Sequence, residues 1–577
     1  MLKRLIASFA RPRHEPGLAE QAARLWQKRD LAGAERLFRE QLARAPGSAE
    51  SHSNLGLVVW EQHRFQEALG HLSRAVELDP SNTTARLNLA NAYVIGNRLA
   101  QGIEHYREVL RLDPQNAKAH ANLLKPLLDA CEWDGAAAEV DYLVGRWRAD
   151  PSDALALRLA PFTSLLVPFP PELRSAIAAS HAQRIQERVA GLERPRPAAR
   201  GARERLRIGY VSGDFHDHAT GHLTAGLLEA HDRGRFEVYG YSFGIDDGSD
   251  YRRRLIAGFD RFVDIAGCAH EEAARRIAAD GIDVLIDRKG YTAESRPEIF
   301  ALRPAPLQVN FLGYPGSMGA GFMDYIVADK VILPEAEVRF FGEQVAWMPA
   351  SYQANDNRQP ISDAPVARAA FGLPEDGFVF CSFNKHYKIE RQLFEGWLRI
   401  LAAVPGSVLW LLGGHGEKNL LRRAREAGID PRRIVFSGKL RKPEHLARHR
   451  LADLFLDTRT VNGHTTTSDA LWAGVPVLTW PGPSFAGRVA ESLLRAIGLP
   501  ELVLPDLASY ERAAIELARE PARLARLKDK LAANRLATPL FDTEGYARSL
   551  ESAYETMWRR HAGGQPPARF TVAPPPR

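Results

Sequence analysis

Three consecutive threonines at the start of a predicted helix form the first candidate site. In the segment Asp453–Gly474 a short apolar run ends in a polar loop, and the threonines then open a helix. Free backbone N–H groups at a helix start bind anions, so a diphosphate would lie on Thr465 and Thr466 beside His464. Asp469, one turn further, would accept a hydrogen bond from a ribose hydroxyl. On these residues alone, an ordinary capped helix is the preferred explanation.

A single lysine follows another predicted strand. Lys388 lies in the segment Cys381–Glu390, just after the apolar run GFVFCSF. A fixed ammonium group there can neutralise the negative charge that develops on a departing nucleotide diphosphate. The alternative is a solvated surface lysine, which is the commoner environment of this residue type.

A loop rich in histidine and aspartate follows the first predicted strand of the α/β region. The segment Gly213–Leu223 contains five ionisable residues: Asp214, His216, Asp217, His218 and His222. Their composition would suit a metal ion, but a metal site also needs convergent geometry. In the other interpretation, His218 alone reaches across a cleft as an acid/base or an orienting group.

A short predicted helix carries three basic or ionisable side chains. Lys442, His445 and Arg448 are spaced at i, i+3 and i+6 and are expected on one face. A histidine ring there would stack on a nucleobase, while the lysine would meet a ribose or phosphate oxygen. A basic, solvated helix face is equally compatible with the spacing.

Apolar strand-like runs alternate with helical segments from Arg205 onward, and a second such series begins at Gly377. This alternation predicts two Rossmann-like, doubly wound α/β domains with parallel sheets. Ligands of such sheets bind at the carboxyl ends of the strands, so the four candidate sites would meet in a cleft between the domains. The sequence has no GxxxxGK(S/T) loop and no GxGxxG after a strand, which disfavours P-loop and hydride-transfer chemistry.

A 34-residue period precedes the α/β region. Three helix-like runs end at this spacing, at Pro46, Pro80 and Pro114. Leucines and small residues repeat in the same register: Leu55, Leu89 and Leu123, with Ala34, Ala68 and Gly102. The period predicts an α-helical tetratricopeptide solenoid with two whole repeats between about 49 and 116, a divergent repeat before them and a partial repeat after.

Three asparagines occupy equivalent positions of these repeats, Asn54, Asn88 and Asn122. In a stacked solenoid they would align on the first helices, which line the concave surface. An amide side chain can hold a peptide backbone through both its donor and its acceptor. Hydrogen bonds within the solenoid are the alternative, and the spacing does not separate the two.

Charge and cysteine content exclude several classes of protein. The 577 residues include 76 basic and 70 acidic side chains, and a net charge of +6 does not indicate nucleic-acid binding. The three cysteines are too far apart for a zinc finger or a dense disulfide framework, which favours a reducing compartment. Because no uncharged stretch approaches membrane length, we expect a cytoplasmic protein without a transmembrane segment.

Long segments of the chain resemble O-linked N-acetylglucosamine transferases and their bacterial homologues. The resemblance spans roughly 205–559 and is strongest in GYVSGDFHDHATGHL, in DRKGYTAESRPEIFALRPAPLQVNFLGYPGSMGAGFMDYIVAD, in FNKHYKI and in NGHTTTSDALWAGVPVLTWPGPSFAGRVAES. It implies a type-B glycosyltransferase fold that uses no metal or other cofactor. The implied reaction is inverting transfer of N-acetylglucosamine (GlcNAc) from UDP-GlcNAc to Ser or Thr hydroxyls of proteins held by the repeats.

The resemblance also implies a role for each candidate residue. His218 matches a histidine near the reacting sugar, Lys388 matches the lysine on the diphosphate, and Gly313 matches a close-packed glycine near the sugar. The implied uridine-side group is Lys442, His445 and Arg448, and the implied diphosphate and ribose loop is His464, Thr465, Thr466 and Asp469. The implied acceptor-binding ladder is Asn54, Asn88 and Asn122.

Departures from the animal enzymes leave the donor and the acceptor open. Lys385 stands where those enzymes carry Gln, and Val461 stands where they carry Cys near the acetamido pocket. The domains are joined by a short segment, Leu333–Glu375, and the repeat array is short. Transfer of glucose or another hexose, an Asn acceptor, polysaccharide tailoring and a non-catalytic scaffold are the alternatives.

The expected organisation has six segments. They are a disordered leader (1–15), tetratricopeptide repeats (16–135), a helical linker region (136–203), an N-terminal Rossmann-like catalytic domain (204–375), a C-terminal Rossmann-like nucleotide-binding domain (376–562) and a disordered tail (563–577).

Overall fold

The computed structural model describes residues 17–27, 30–198 and 204–574, and the chain divides into two compact units between Leu159 and Ala160. The leader predicted at 1–15 and the last three residues of the predicted tail lie outside the described residues. Within the described ranges, no helix is long and apolar enough to cross a membrane.

The first unit is a stack of helix pairs, as the 34-residue period predicts. Its helices are α1 (Leu18–Gln27), α2 (Leu31–Arg44), α3 (Ala49–Glu61), α4 (Phe65–Leu78), α5 (Thr83–Ile95), α6 (Leu99–Leu112), α7 (Ala117–Asp129) and α8 (Trp133–Ala149). Ala34 and Ala68 are fully buried, and a Cβ on Gly102 would lie 2.5 Å from Cγ2 of Val94, so small residues are required where helices approach closely. The repeat predicted as partial is a complete pair, α7 and α8.

The second unit begins with α9 (Pro161–Ser164) and α10 (Pro171–Val189) and contains two parallel sheets. The strands of the first sheet are β1 (Leu206–Ser212), β2 (Phe236–Ser242), β3 (Arg261–Asp264), β4 (Val284–Asp287), β5 (Leu307–Asn310), β6 (Tyr325–Asp329) and β7 (Gln344–Met348). The helices between them are α11 (Ala219–Ala230), α12 (Asp250–Ala257), α13 (His270–Ala279) and α14 (Pro297–Ala301).

The second sheet follows the same plan. Its strands are β8 (Val379–Ser382), β9 (Val408–Leu412), β10 (Ile434–Ser437), β11 (Leu454–Leu456) and β12 (Val477–Leu478). Its helices are α15 (Arg391–Ala403), α16 (Glu417–Glu426), α17 (Lys442–His449), α18 (Thr465–Trp472), α19 (Val489–Ala496), α20 (Leu507–Arg519) and α21 (Pro521–Asn534). The last elements of the described residues are α22 (Thr543–Ala562) and β13 (Phe570–Thr571).

Both sheets are doubly wound, which confirms the predicted fold class. The first runs β3-β2-β1-β4-β5-β6-β7-β13 and the second β10-β9-β8-β11-β12. In each sheet the direction of winding reverses beside the first strand, between β1 and β4 and between β8 and β11. Such a reversal opens a crevice at the carboxyl ends of the two strands, which is where α/β sheets bind ligands.

The predicted linker region is divided between the two units. Residues 136–159 of the predicted linker belong to the repeat unit, whereas α10 belongs to the second unit. The buried face of α10, which includes Leu173, Ile177 and Ile185, packs on α14, and Arg188 forms an ion pair of 2.8 Å with Glu298.

The carboxyl-terminal helix α22 was assigned to the second Rossmann-like domain but packs on α11, β5 and β7 of the first. Its apolar face, with Leu550, Tyr554 and Met557 fully buried, covers the first sheet. The tail predicted to be disordered adds β13 as a parallel edge strand, because Phe570 and Thr571 pair with Ala346 and Trp347 of β7.

Candidate active site

The candidate residues lie on the loops at the two winding reversals. One loop follows β1 and carries His218, and a second follows β4. In the other half, Lys388 follows β8 and the three threonines follow β11. Helices α11 and α18 contact each other, so the histidine loop and the threonine helix face one cleft.

The threonine helix begins as the sequence predicts. His464, Thr465 and Thr466 are half-buried at the start of α18, and the first turn of a helix leaves its backbone N–H groups without intrahelical acceptors. The hydroxyl of Thr466 donates to Oδ1 of Asn384 (2.8 Å), which ties the helix start to the loop after β8. The ring Nε2 of His464 bonds to the carbonyl oxygen of Ala486 (3.2 Å), and burial lowers the pKa of this histidine to about 3.

Gly463 makes this helix start possible. A Cβ at this position would lie 2.5 Å from Oγ1 of Thr467 and 2.6 Å from Oγ1 of Thr466. The backbone N–H of Gly463 donates to Oδ1 of Asp457 (2.6 Å), a buried carboxylate at the end of β11. The glycine is therefore required for close approach and not for an unusual backbone conformation.

Lys388 is held inside the cleft and is not a solvated surface lysine. Its ammonium group donates to the carbonyl oxygen of Asn462 (2.7 Å) and lies 3.5 Å from Oδ1 of Asn384. Burial lowers the pKa of Lys388, while the nearby Asp457 carboxylate opposes that shift. Burial in turn raises the pKa of Asp457. A half-buried cation at a strand end is suited to meet an anionic ligand.

The residues predicted for the ribose and base are already paired with one another. The ammonium group of Lys442 donates to Oδ1 of Asp469, and Nε2 of His445 lies 3.6 Å from Oδ2 of the same carboxylate. Asp469 is 3% exposed and its two oxygens face Lys442 and His445. Burial lowers the pKa of His445 well below its ordinary value, so the ring is neutral near pH 7 and its face can stack.

Arg448 does not lie on a ligand-binding face, contrary to the prediction from its spacing. Its side chain is 1% exposed, one guanidinium nitrogen donates to the carbonyl oxygen of Gly438 (2.7 Å), and the group lies 4.3 Å from the ring centroid of Phe383. Six positions along a helix turn the side chain by about 120° from the first, which is enough to point it into the core. Arg448 supports the loop of Phe383 and does not reach the cleft.

His218 caps α11, and its hydrogen bond identifies its tautomer. Nδ1 of the ring accepts from the backbone N–H of Thr220 (3.2 Å), so this nitrogen carries a lone pair. Burial, with repulsion from Lys289 and neighbouring histidines, lowers the pKa of His218 to about 4 although Asp214 opposes the shift. A neutral ring with Nδ1 unprotonated carries its proton on Nε2. The exposed edge of His218 therefore donates a hydrogen bond and does not accept one.

The metal interpretation of this loop receives no support from its geometry. His222 bonds to Asp217 (2.6 Å), His216 lies 3.7 Å from Asp247, and His218 caps its helix. The side chains point to separate partners, and within the described residues no group of three or more His, Cys, Asp or Glu side chains could hold a metal ion.

Gly313 is close-packed, as the resemblance implies. A Cβ there would lie 1.9 Å from the carbonyl oxygen of Arg288 and 2.9 Å from the backbone nitrogen of Lys289, so the loop after β5 presses on the loop after β4. The preceding residue, Leu312, has a left-handed φ of 68°. Only glycine allows these two strand-end loops to touch.

The asparagine ladder is not an exposed row. The amide of Asn88 is 1% exposed and donates to Oγ of Ser53 (3.0 Å), and that of Asn122 donates to Oδ1 of Asn91 (2.9 Å). Both bonds run between neighbouring repeats, so the prediction is wrong for Asn88. Asn54 and Asn122 are half-buried.

Three residues of the site were missed at the sequence level, namely Asn384, Asp457 and Lys289, and Asp214 was considered only as a possible metal ligand. All four lie just after a strand. Asp457 and Lys289 stand in the runs DLFLDT and DVLIDRKG, directly at predicted strand ends. A search for every polar residue at a strand end would have found them.

Comparison with known proteins gives one family for the α/β region. The profile of glycosyl transferase family 41 matches residues 131–364 and 357–550, and a tetratricopeptide repeat profile matches 20–83 and 56–117. The chain is 36% identical over 469 residues to a probable UDP-N-acetylglucosamine–peptide N-acetylglucosaminyltransferase of Arabidopsis thaliana, an overlap of 78% of this chain and 48% of the relative.

Two further matches agree. An enzyme of Caenorhabditis elegans with the name UDP-N-acetylglucosamine–peptide N-acetylglucosaminyltransferase is 33% identical, across 70% of this chain and 46% of the relative. The solved structure of a lysine-to-methionine mutant of Thermobaculum terrenum O-GlcNAc transferase superposes with a TM-score of 0.69 at 29% identity, covering 95% of this chain and 98% of that one. The chain spans about half the length of the two curated relatives.

Proposed function

Because the chain belongs to glycosyl transferase family 41, we propose that it is a UDP-sugar-dependent protein glycosyltransferase. Its proposed donor is UDP-GlcNAc and its proposed acceptors are Ser and Thr hydroxyls of proteins. The observation that carries the proposal is the placement of Lys388 beside the open start of α18, since a half-buried cation and helix N–H groups without intrahelical acceptors would bind a diphosphate. The names of the relatives support the choice of donor.

The proposed reaction is a single in-line displacement. The acceptor oxygen forms a bond to the anomeric carbon on the face opposite the diphosphate, and the bond from that carbon to the β-phosphate oxygen breaks with its electron pair. The hydroxyl proton passes to solvent water, UDP departs with the electron pair of the broken bond, and the configuration at the anomeric carbon inverts. Lys388 and the N–H groups at Thr465 and Thr466 stabilise the charge that grows on UDP.

Different residues of the cleft are proposed to bind the base, the ribose and the sugar of the donor substrate. The half-buried ring of His445, which lies 5.5 Å from that of Phe383, would stack on the uracil base. Lys442 and Asp469 offer a donor and an acceptor to the ribose. His218 would donate from Nε2 to the sugar or to the acceptor, as an orienting group and not as the general base.

A panel of UDP-sugars tests the function directly. UDP release from UDP-GlcNAc should exceed release from UDP-glucose and UDP-GalNAc, and a protein acceptor should increase it. UDP binding without turnover of any sugar would identify a non-catalytic scaffold. Preferred turnover of UDP-glucose would replace the proposed donor, and Val461, which is 6% exposed, would then be the first residue to exchange.

We expect turnover without a divalent cation. In the proposed site Lys388 and the start of α18 carry the charge that Mn²⁺ or Mg²⁺ carries in other glycosyltransferases, so EDTA should leave the rate within about twofold. The measurement is UDP release before and after chelation. Loss of turnover with EDTA and its return with Mn²⁺ would contradict this part of the mechanism.

Replacing His218 should show whether this residue donates a hydrogen bond or acts as a general base. Gln can donate a hydrogen bond where Nε2 does, so His218→Gln should keep most of the rate, whereas His218→Phe should lose on the order of 10²-fold. Because the pKa of His218 is about 4, the rate should not fall between pH 7 and 5 through this residue. Equal inactivity of the two variants, with a rate that falls as the pH is lowered through about 6, would indicate a general base.

Replacing the half-buried asparagines of the ladder should impair glycosylation of protein acceptors but not hydrolysis of the donor. We expect Asn54→Ala combined with Asn122→Ala to slow protein glycosylation several-fold while donor hydrolysis stays constant. Asn88→Ala should instead lower the free energy of unfolding by about 1 kcal/mol, because it removes a buried hydrogen bond. Equal loss of both activities in the double variant would remove the ladder from acceptor binding.

A further inference from the structure

The loop that carries His218 is held by three cations. Arg252 donates to the carbonyl oxygen of Phe215 (2.9 Å), Arg288 donates to that of Thr220 (3.0 Å), and the ammonium group of Lys289 contacts Oδ1 of Asp214 (2.5 Å). The two arginines bind backbone carbonyls and so fix the path of the loop. Lys289 differs, because it binds a side chain that is itself close to the histidine ring.

Lys289 and Asp214 form a largely buried ion pair. The loop of Asp214 follows β1, Lys289 follows the neighbouring strand β4, and the two side chains are 7% and 12% exposed respectively. The backbone N–H groups of Lys289 and Gly290 both donate to Oδ1 of Asp287, which fixes the chain from which the lysine projects. A buried pair with this support has little freedom to rearrange.

The second oxygen of Asp214 does not form a hydrogen bond with His218. Oδ2 lies 3.7 Å from Nδ1 of His218, beyond hydrogen-bond distance, whereas the N–H of Thr220 reaches the same nitrogen at 3.2 Å. A carboxylate within hydrogen-bond distance of Nδ1 can only accept a hydrogen bond, so Nδ1 would have to be protonated. In the neutral ring the proton would then move from Nε2 to Nδ1. The separation of Asp214 from the ring therefore decides whether Nε2, at the exposed edge of His218, donates or accepts a hydrogen bond.

We propose that Lys289 is a positioning residue that holds Asp214 away from Nδ1 and thereby keeps His218 in the Nε2–H form that faces the cleft. Without the ammonium group, a carboxylate that is 7% exposed would lose its ion-pair partner, and Arg288 would act on it only through its more distant charge. Its second oxygen already lies 3.7 Å from Nδ1 of His218 and would then bind that nitrogen in its protonated form. Nδ1 would then carry the proton and Nε2 would become an acceptor.

Several ionisable groups near the ring raise or lower the pKa of His218. Lys289, His216 and His222 lower the pKa of His218, and Asp214 raises it. His216 lies beside Asp247, and His222 bonds to Asp217, so both histidines have acidic partners of their own. Removing Lys289 takes away one repulsive charge and frees the Asp214 carboxylate, which attracts a proton to the ring, so the pKa of His218 should rise.

Histidine-selective ¹⁵N NMR of the full chain tests this inference. The chain has 18 histidines, and the signals of His218 are identified by their absence in His218→Gln. In the parent, Nε2 should carry the proton and the ring should stay neutral down to about pH 5. In Lys289→Met we expect a rise of at least one unit in the pKa of His218 and a proton on Nδ1. Lys289→Arg should restore the parental spectrum in part, and Lys330→Met, which replaces an exposed lysine, should leave it unchanged.

A double variant separates this role from a general loss of structure. In Lys289→Met combined with Asp214→Leu no carboxylate can reach Nδ1, so His218 should return to the Nε2–H form. If the tautomer and the pKa of His218 in Lys289→Met equal those of the parent, the inference is wrong. A displaced tautomer that persists in the double variant would also overturn it, because Asp214 would then not be the cause.

Only the catalytic consequence rests on the proposed function. With UDP-GlcNAc as donor, kcat of Lys289→Met should fall on the order of tenfold or more, since misplacing a reacting group by about 1 Å can cost 10²-fold. KM for the donor should change little. If the parent turns over no UDP-sugar, the proposed function fails, but the NMR result still decides whether Lys289 controls His218.

Discussion

Lys388→Met should lower kcat by about 10²–10³-fold, because one preorganised charge that meets the leaving group contributes about 3–4 kcal/mol to the transition state. UDP should still bind, about 10- to 100-fold more weakly, since Lys442 and the start of α18 remain. Lys388→Arg should not restore the rate. The ammonium group sits between the carbonyl oxygen of Asn462 and the amide of Asn384, and a wider guanidinium cannot occupy that point without displacing them.

Steady-state kinetics and UDP titration of the two variants make this measurement. Lys418→Met is a matched control, because it removes an exposed lysine from α16 in the same half of the unit and should leave kcat within about twofold. A near-parental kcat in Lys388→Met would show that the lysine does not meet the leaving group.

Gly463→Ala should disable the donor site without unfolding the protein. The added methyl group would lie 2.5 Å from Oγ1 of Thr467, which is fully buried, and 2.6 Å from Oγ1 of Thr466, which is bonded to Asn384. Overpacking of this kind costs about 1–3 kcal/mol, and here it falls on the first turn of α18. We expect UDP affinity and donor turnover to fall about tenfold or more.

Gly321→Ala is the control for this change, since the residue is exposed and a Cβ there meets nothing within 4 Å. Its UDP affinity and melting temperature should match those of the parent. If Gly463→Ala also binds UDP as the parent does, the start of α18 is not the diphosphate site. A folded variant with lost UDP binding is the expected result.

The alternation of apolar runs and helices was enough to predict both doubly wound sheets, because each strand buried on both faces leaves a continuous apolar run. It was not enough to assign α22. The amphipathic pattern of this helix shows that one face is buried, but the same pattern would suit either sheet. Only the tertiary contacts with α11, β5 and β7 reveal which one it covers.

Spacing located the candidate residues but did not show the environment of each side chain. Lys388 and the threonine helix were found because strand ends and helix starts have fixed chemical properties. Arg448 was misassigned because periodicity does not show which edge of a helix is covered, and Asn88 because a polar side chain in a repeat can bond to its neighbour, here Ser53. The contact of Lys289 with Asp214 joins residues 75 positions apart, a pairing that no local pattern contains.

The most direct test of the proposed function is the mass and linkage of the product. The full chain is incubated with UDP-GlcNAc and Ser/Thr-containing protein acceptors, and intact mass and fragmentation spectra are recorded with the parent and with Lys388→Met. We expect the parent to add one N-acetylhexosamine at a time to Ser or Thr oxygens, and Lys388→Met to add almost none. Addition of a hexose, attachment to Asn, or equal product with both proteins would contradict the account.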